Sequence, residues 1–167
     1  DRKTQAYPVR LQQMLGDRYE VSNFGHPGAT LLRRGHKPYM RLPEFREALK
    51  FKADWVVIHL GLNDTDPRNW PNYGSEFIRD YRTLIDSFRV SNPNARIWIC
   101  LMTPIGDRHP RFQSGTRDWF AAIQQCIRRI AATANVGLID LNAPLYNRPD
   151  LFPDALHPNA EGAEIMA

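Results

Sequence analysis

The sequence predicts an α/β protein of three layers, a mostly parallel sheet lying between two layers of helices. Two observations carry this. Short apolar runs rich in β-branched residues, at 55–60, 96–102 and 136–141, bear the mark of strands covered on both faces. Between them lie longer stretches, 76–90 and 116–135, whose apolar residues recur at helical spacing. A β-α-β-α-β order needs long crossovers, which are right-handed and leave successive strands parallel. In such sheets chemistry gathers at the carboxyl ends of the strands.

Taken in order, Pro8 suits the first turn of a helix running to about Gly16, with Tyr7, Leu11, Met14 and Leu15 as its apolar face. Residues 19–23 read as a short strand, and Gly25-His26-Pro27-Gly28 as the loop that leaves it. A second helix is expected over 43–51. The run Trp55-Val56-Val57-Ile58-His59-Leu60 ends at Gly61 as a buried strand should. Over 76–90 the residues Phe77, Ile78, Tyr81, Leu84, Ile85 and Phe88 form one stripe, the clearest helix of the chain. Residues 96–102 repeat the strand pattern, 116–135 repeat the helical one through Trp119, Phe120, Ile123, Ile127 and Ile130, and 136–141 supply a last strand. The chain starts at Asp1 and stops within a helical stretch, Ala163-Glu164-Ile165-Met166-Ala167, so both ends read as cut.

A chain of 167 residues, 43% apolar and 11% aromatic, is the size of one domain, 1–167, with a sizeable core. The net charge of +4 comes from 22 basic and 18 acidic residues spread along the chain, which argues against nucleic acid as a partner. No apolar run approaches the roughly 18 residues that span a bilayer, and no signal segment opens the chain; with both ends reading as cut, targeting segments could lie beyond them, and a membrane partner is not expected. Cys100 and Cys126 read as buried thiols, with a disulfide left open. No Cys/His spacing suggests zinc, and the scattered Asp64 and Asp66 make no metal cage. No metal and no cofactor are expected.

Three polar segments fall at strand ends: 23–30, Gly61-Leu62-Asn63-Asp64, and Asp154-Ala155-Leu156-His157. The three-residue spacing of Asp154 and His157 lets a carboxylate reach the imidazole, fix its tautomer and stabilise the imidazolium, as a general-base pair requires. The competing reading makes Asp154 the cap of a helix starting near Pro158. Acyl transfer also needs donors aimed at the developing oxyanion, and Gly28 and Asn63 are of the right type. His59, inside a strand, reads as a satisfied core histidine, and His26, His36 and His109 sit in loops.

The segments Asn23-Phe24-Gly25-His26-Pro27-Gly28-Ala29-Thr30, Gly61-Leu62-Asn63-Asp64 and Asp154-Ala155-Leu156-His157-Pro158-Asn159, in that order, resemble the later blocks of the SGNH (GDSL-like) hydrolases. The resemblance spans nearly the whole chain and implies a flavodoxin-like sandwich. It assigns Gly28 and Asn63 to the oxyanion hole, His157 to the base and Asp154 to the residue behind it. The family's first block, a Gly-Asp-Ser turn after the first strand, is missing. Ser22, Ser75, Ser87 and Ser91 sit on or beside regular elements, and Ser114 in Arg111-Phe112-Gln113-Ser114-Gly115-Thr116 reads as a loop leading into a helix. The nucleophile is therefore expected upstream of Asp1, on a strand and turn of about 10–30 residues.

The resemblance is to bacterial carbohydrate and sialate O-acetylesterases, through the long loop that opens Asn63-Asp64-Thr65-Asp66. It implies a serine esterase acting through an acyl-enzyme on a small-molecule or glycan ester. The compartment is left open, with a periplasmic or secreted location slightly favoured over the cytoplasm. Asp64 and Trp70 are the candidate sugar contacts; Trp70 could equally pack beneath its loop. A lipase-like or thioesterase activity on longer acyl chains, and a sugar-binding pseudoenzyme, are the competing functions.

Overall fold

The computed structural model describes residues 6–112 and 116–167. Three parallel strands, β1 (Trp55–Ile58), β2 (Arg96–Leu101) and β3 (Gly137–Asp140), form a sheet in the order β1-β2-β3. β1 meets β2 from Trp55↔Arg96 to Ile58↔Ile99, and β2 meets β3 from Trp98↔Gly137 to Leu101↔Asp140. The helices longer than a single turn are α1 (Tyr7–Leu15), α2 (Pro43–Phe51), α3 (Phe77–Ser91), α4 (Thr116–Thr133) and α5 (Ala160–Met166), and one further helical turn, Trp70–Tyr73, lies between α2 and α3.

Side chains alternate along a strand, so the two sheet faces have different partners. Val56, Ile58, Ile97, Ile99 and Leu101 share one core with Phe77, Tyr81, Leu84 and Ile85 of α3 and Ile123, Ile127 and Ile130 of α4. α2 joins this layer through Phe45, which meets Phe88 edge-on with ring centroids 6.1 Å apart. Trp98 and Cys100 face the other way. There α1 packs on α5, and burial, with Cys100 nearby, pushes the Tyr7 hydroxyl up to about 12. The result is an α/β/α sandwich. Cys100 and Cys126 are both free thiols, Cys100 buried and Cys126 half-buried.

Several features depart from the sequence expectation on this side of the sheet. Residues 19–23 form no strand; instead the Gln12 side chain donates to Tyr19 O at 2.8 Å and accepts from Val21 N at 2.7 Å. An apolar, alternating segment becomes a strand only when a neighbour takes its N–H and C=O groups, and none of the described strands lies beside it. β1 is likewise not covered on both faces. Val56 and Ile58 are buried, but Trp55 and Val57 are 52% and 42% exposed. A groove of about 860 Å3, lined by Tyr7, Leu11, Phe24, Val57 and His59 among others, separates β1 from α1 and residues 19–25. Leu138 of β3 is also exposed, so among the described strands only β2 is enclosed on both faces over most of its length. α1 itself buries Pro8, while Met14 and Leu15, expected on its apolar face, are exposed.

Candidate active site

Beyond β3 the chain makes two single 3-10 turns, Ala143–Leu145 and Pro149–Leu151. Leu145, Leu151 and Phe152 bury a small core of their own that fixes the turn at 154–157. In that turn Asp154 Oδ1 accepts from Leu156 N at 3.0 Å and from His157 N at 2.7 Å, and its Oδ2 lies 2.7 Å from His157 Nδ1. These bonds, that from the His157 backbone first, hold the Asp154 carboxyl well below the usual carboxylate range. With Nδ1 tied to the carboxylate, Nε2 is the nitrogen left to take a proton. The imidazole is solvent-exposed. Helix α5 is capped by Asn159, whose side chain accepts from Gly162 N, so the capping role considered for Asp154 belongs to another residue.

At the end of β1, Gly61 adopts φ +123°, and a Cβ there would stand 3.1 Å from Ile123 and 3.2 Å from Met102. Only glycine turns the chain this tightly over α4. The 3-10 turn Leu62–Thr65 follows. From it the Asn63 amide Nδ2 donates to Ala29 O at 3.0 Å, next to Gly28, which has φ +76°. The Gly28 and Asn63 segments are thus joined directly.

Asp64, a candidate sugar contact, has no surface open to a sugar. It is fully buried, and its two oxygens accept from Leu31 N at 2.9 Å and Leu32 N at 2.8 Å. Asp80, also buried, accepts from Arg33 N at 2.9 Å. Two carboxylates therefore suspend residues 31–33 and hold the Gly28 loop in place. Burial outweighs these hydrogen bonds at Asp64 and pushes its carboxyl up to about 7. Trp70 is half-buried and packs edge-on against Phe77 with centroids 5.6 Å apart. Its remaining surface lines a shallow hollow with Pro71, Asn72 and Trp119, which includes neither Asn63 nor His157.

A third segment, after β2, links the two halves. Gly106 N donates to Ala155 O at 2.7 Å. His109 Nδ1 accepts from Arg111 N at 3.1 Å, and the half-buried Arg111 guanidinium donates to Leu62 O at 3.1 Å and to Asn63 Oδ1 at 3.0 Å. Burial, then Arg111, lowers the His109 pKa, with Asp154 and His157 both within electrostatic reach of the ring. Arg111 escaped the sequence reading because no motif surrounds it and its partner lies 48 residues away. His26 lies in a loop, as expected, and pairs with Glu44 at 2.8 Å. His59 departs from expectation: its Nε2 is buried with no hydrogen-bond partner among the described residues, so that ring is not the satisfied core histidine expected. Burial depresses its pKa to about 4. Ser114 lies outside the described residues.

Residues 1–165 match the GDSL-like Lipase/Acylhydrolase family. The chain belongs to this family. An acetylxylan esterase of Xylanibacter ruminicola is 38% identical to the GDSL-like chain over 180 residues, a match that covers 96% of the chain and 37% of that protein. The chain therefore spans little more than a third of the length of this curated relative. Among crystal structures, the acetyl xylan esterase AlAXEase superposes with a TM-score of 0.75 at 22% identity, covering 97% of this chain and 87% of that one. The inhibitor-bound aryl esterase of M. smegmatis superposes with a TM-score of 0.76 at 18% identity, covering 96% and 80%. At these identities the superpositions establish a shared fold.

Proposed function

We propose that this GDSL-like chain, as one domain, carries the base and oxyanion side of a serine esterase that removes acetyl groups from O-acetylated carbohydrates. The observation that carries the reading is His157 Nδ1 held 2.7 Å from Asp154, which presents Nε2 as a proton acceptor. The serine Oγ attacks the acetyl carbonyl carbon while His157 Nε2 takes its proton. The negative charge that develops on the carbonyl oxygen is met by Asn63 Nδ2–H and the Gly28 N–H. His157 then returns the proton to the departing sugar oxygen, and water attacks the acyl-enzyme by the same route. No cofactor is needed.

No described serine is hydrogen-bonded to His157; Ser87 and Ser91 donate to Thr83 O and Leu49 O. The nucleophile is assigned to polypeptide preceding Asp1. The groove beside β1 supports this, since it has apolar side chains such as Tyr7, Leu11, Phe24 and Val57 in its lining, flanks the edge strand of the described sheet and reaches Ala29 and Asn63. A strand laid in it parallel to β1 would end beside the Asn63 amide. Acetylated sugar is favoured as substrate because the relative at 38% identity bears the name acetylxylan esterase.

The test is acetate release from acetylated xylan by the full-length gene product beside His157→Ala. A fall of several orders of magnitude in the variant is expected. Absence of release from acetyl and longer acyl esters by the unaltered protein would overturn the esterase reading, and preference for long acyl chains would replace acetylated sugar by a lipid-like substrate.

A further inference from the structure

We infer that Arg111 is a positioning residue that sets which atom of the Asn63 amide faces the reacting carbonyl. The inference rests on Asn63 being an oxyanion donor, as proposed above. An asparagine amide is useful in that role only if Nδ2 points into the site; flipped by half a turn, it offers Oδ1 and repels the oxyanion. Two contacts fix the orientation. Nδ2 gives one of its two hydrogens to Ala29 O, which leaves the second for an incoming oxygen. Oδ1 accepts from Arg111 Nη2 at 3.0 Å, while Nη1 of the same guanidinium holds Leu62 O at 3.1 Å.

The planar fork thus grips the Asn63 side chain and the carbonyl just before it, geometry that a lysine ammonium does not reproduce. A charge-assisted bond to Oδ1 also draws electron density towards oxygen and makes the remaining Nδ2–H a better donor. Asp66 and Asp64 act on the Arg111 charge through space, whereas its hydrogen bonds go to the Asn63 amide oxygen and the Leu62 carbonyl. The half-buried setting disfavours that charge and lowers the Arg111 pKa. The backbone of Arg111 adds a second tie, donating to His109 Nδ1 in the segment that meets the Asp154–His157 turn through Gly106 and Ala155.

The experiment is a double-mutant cycle in the full-length gene product with an acetyl ester as substrate, using Arg111→Met, Arg111→Lys, Asn63→Ala and Asn63→Ala/Arg111→Met. Arg111→Met is expected to lower kcat about 10- to 100-fold with KM within about 3-fold, less than the 10²–10³ typical of deleting an oxyanion donor. In the Asn63→Ala background the same substitution should cost less than about 3-fold, because the group it positions is gone. Arg111→Lys should fall between wild type and Arg111→Met, and serves in its place if the methionine variant does not fold. Equal losses from Arg111→Met in both backgrounds, or kcat of Arg111→Met within 2-fold of wild type, would overturn the positioning role. Full activity of Asn63→Ala would instead overturn the oxyanion assignment on which it rests.

Discussion

Asp64 and Asp154 each accept two backbone N–H groups, yet their acidities move in opposite directions. Asp154 is exposed, and its hydrogen bonds dominate; Asp64 is buried, and lost hydration dominates. For Asp64 the folded pKa of about 7 stands above its ordinary value of 3.8. Its contribution to stability is therefore complete below about pH 3.8 and is lost as pH rises towards 7. Urea unfolding of wild type and Asp64→Asn should show the gap between them narrowing across that window, and a gap constant with pH would refute the shift. Asp154→Asn should lower kcat by roughly 10²-fold or more, because the amide no longer stabilises the imidazolium; acetate-release kinetics read this directly. The Asp154–His157 pair was legible in the sequence because both members sit in one turn. Asp64 and Arg111 were not, since the atoms they hold lie 33 and 48 residues away in the chain.

Among the elements, α3 and α4 were readable because an apolar stripe at helical spacing has one physical use, packing on a sheet. Ile127 is fully buried against that sheet, and Ile127→Ala should cost about 2–5 kcal/mol in chemical denaturation. The segment 19–23 shows the converse. Its pattern permits a strand, but pairing is a property of two segments, and the described structure supplies only one. Loop 103–112 carried no periodic signal at all, although it joins the two halves of the site. Gly106 is its tightest point, where an added Cβ would lie 2.8 Å from the Ala155 Cβ. Gly106→Ala should displace the turn that carries His157, lowering kcat about 10-fold or more while thermal unfolding shifts by only a few degrees.

At the scale of the molecule, the sheet is enclosed unevenly. α2, α3 and α4 bury one face, whereas α1 and α5 leave the outer half of the other face open at Trp55 and Val57. Sequence could not reveal this, because an unbroken apolar run states what a strand can bury and not which neighbours are present to bury it. The assignment of the groove to preceding polypeptide makes a prediction at this scale. Hydrogen exchange at the β1 amides should be slower in the full-length gene product than in residues 1–167 produced alone; equal rates would show that the groove stays open.

Among the described residues no strand pairs with the outer edge of β1, beside exposed Trp55 and Val57, and such an edge is also adhesive. Produced without a partner strand, 1–167 presents a template on which any extended chain, another copy included, can add itself edge to edge. The seam proposed to receive a strand is then the place where copies would aggregate. Val57→Lys in that shortened chain, by placing charge on the open face, should suppress concentration-dependent light scattering.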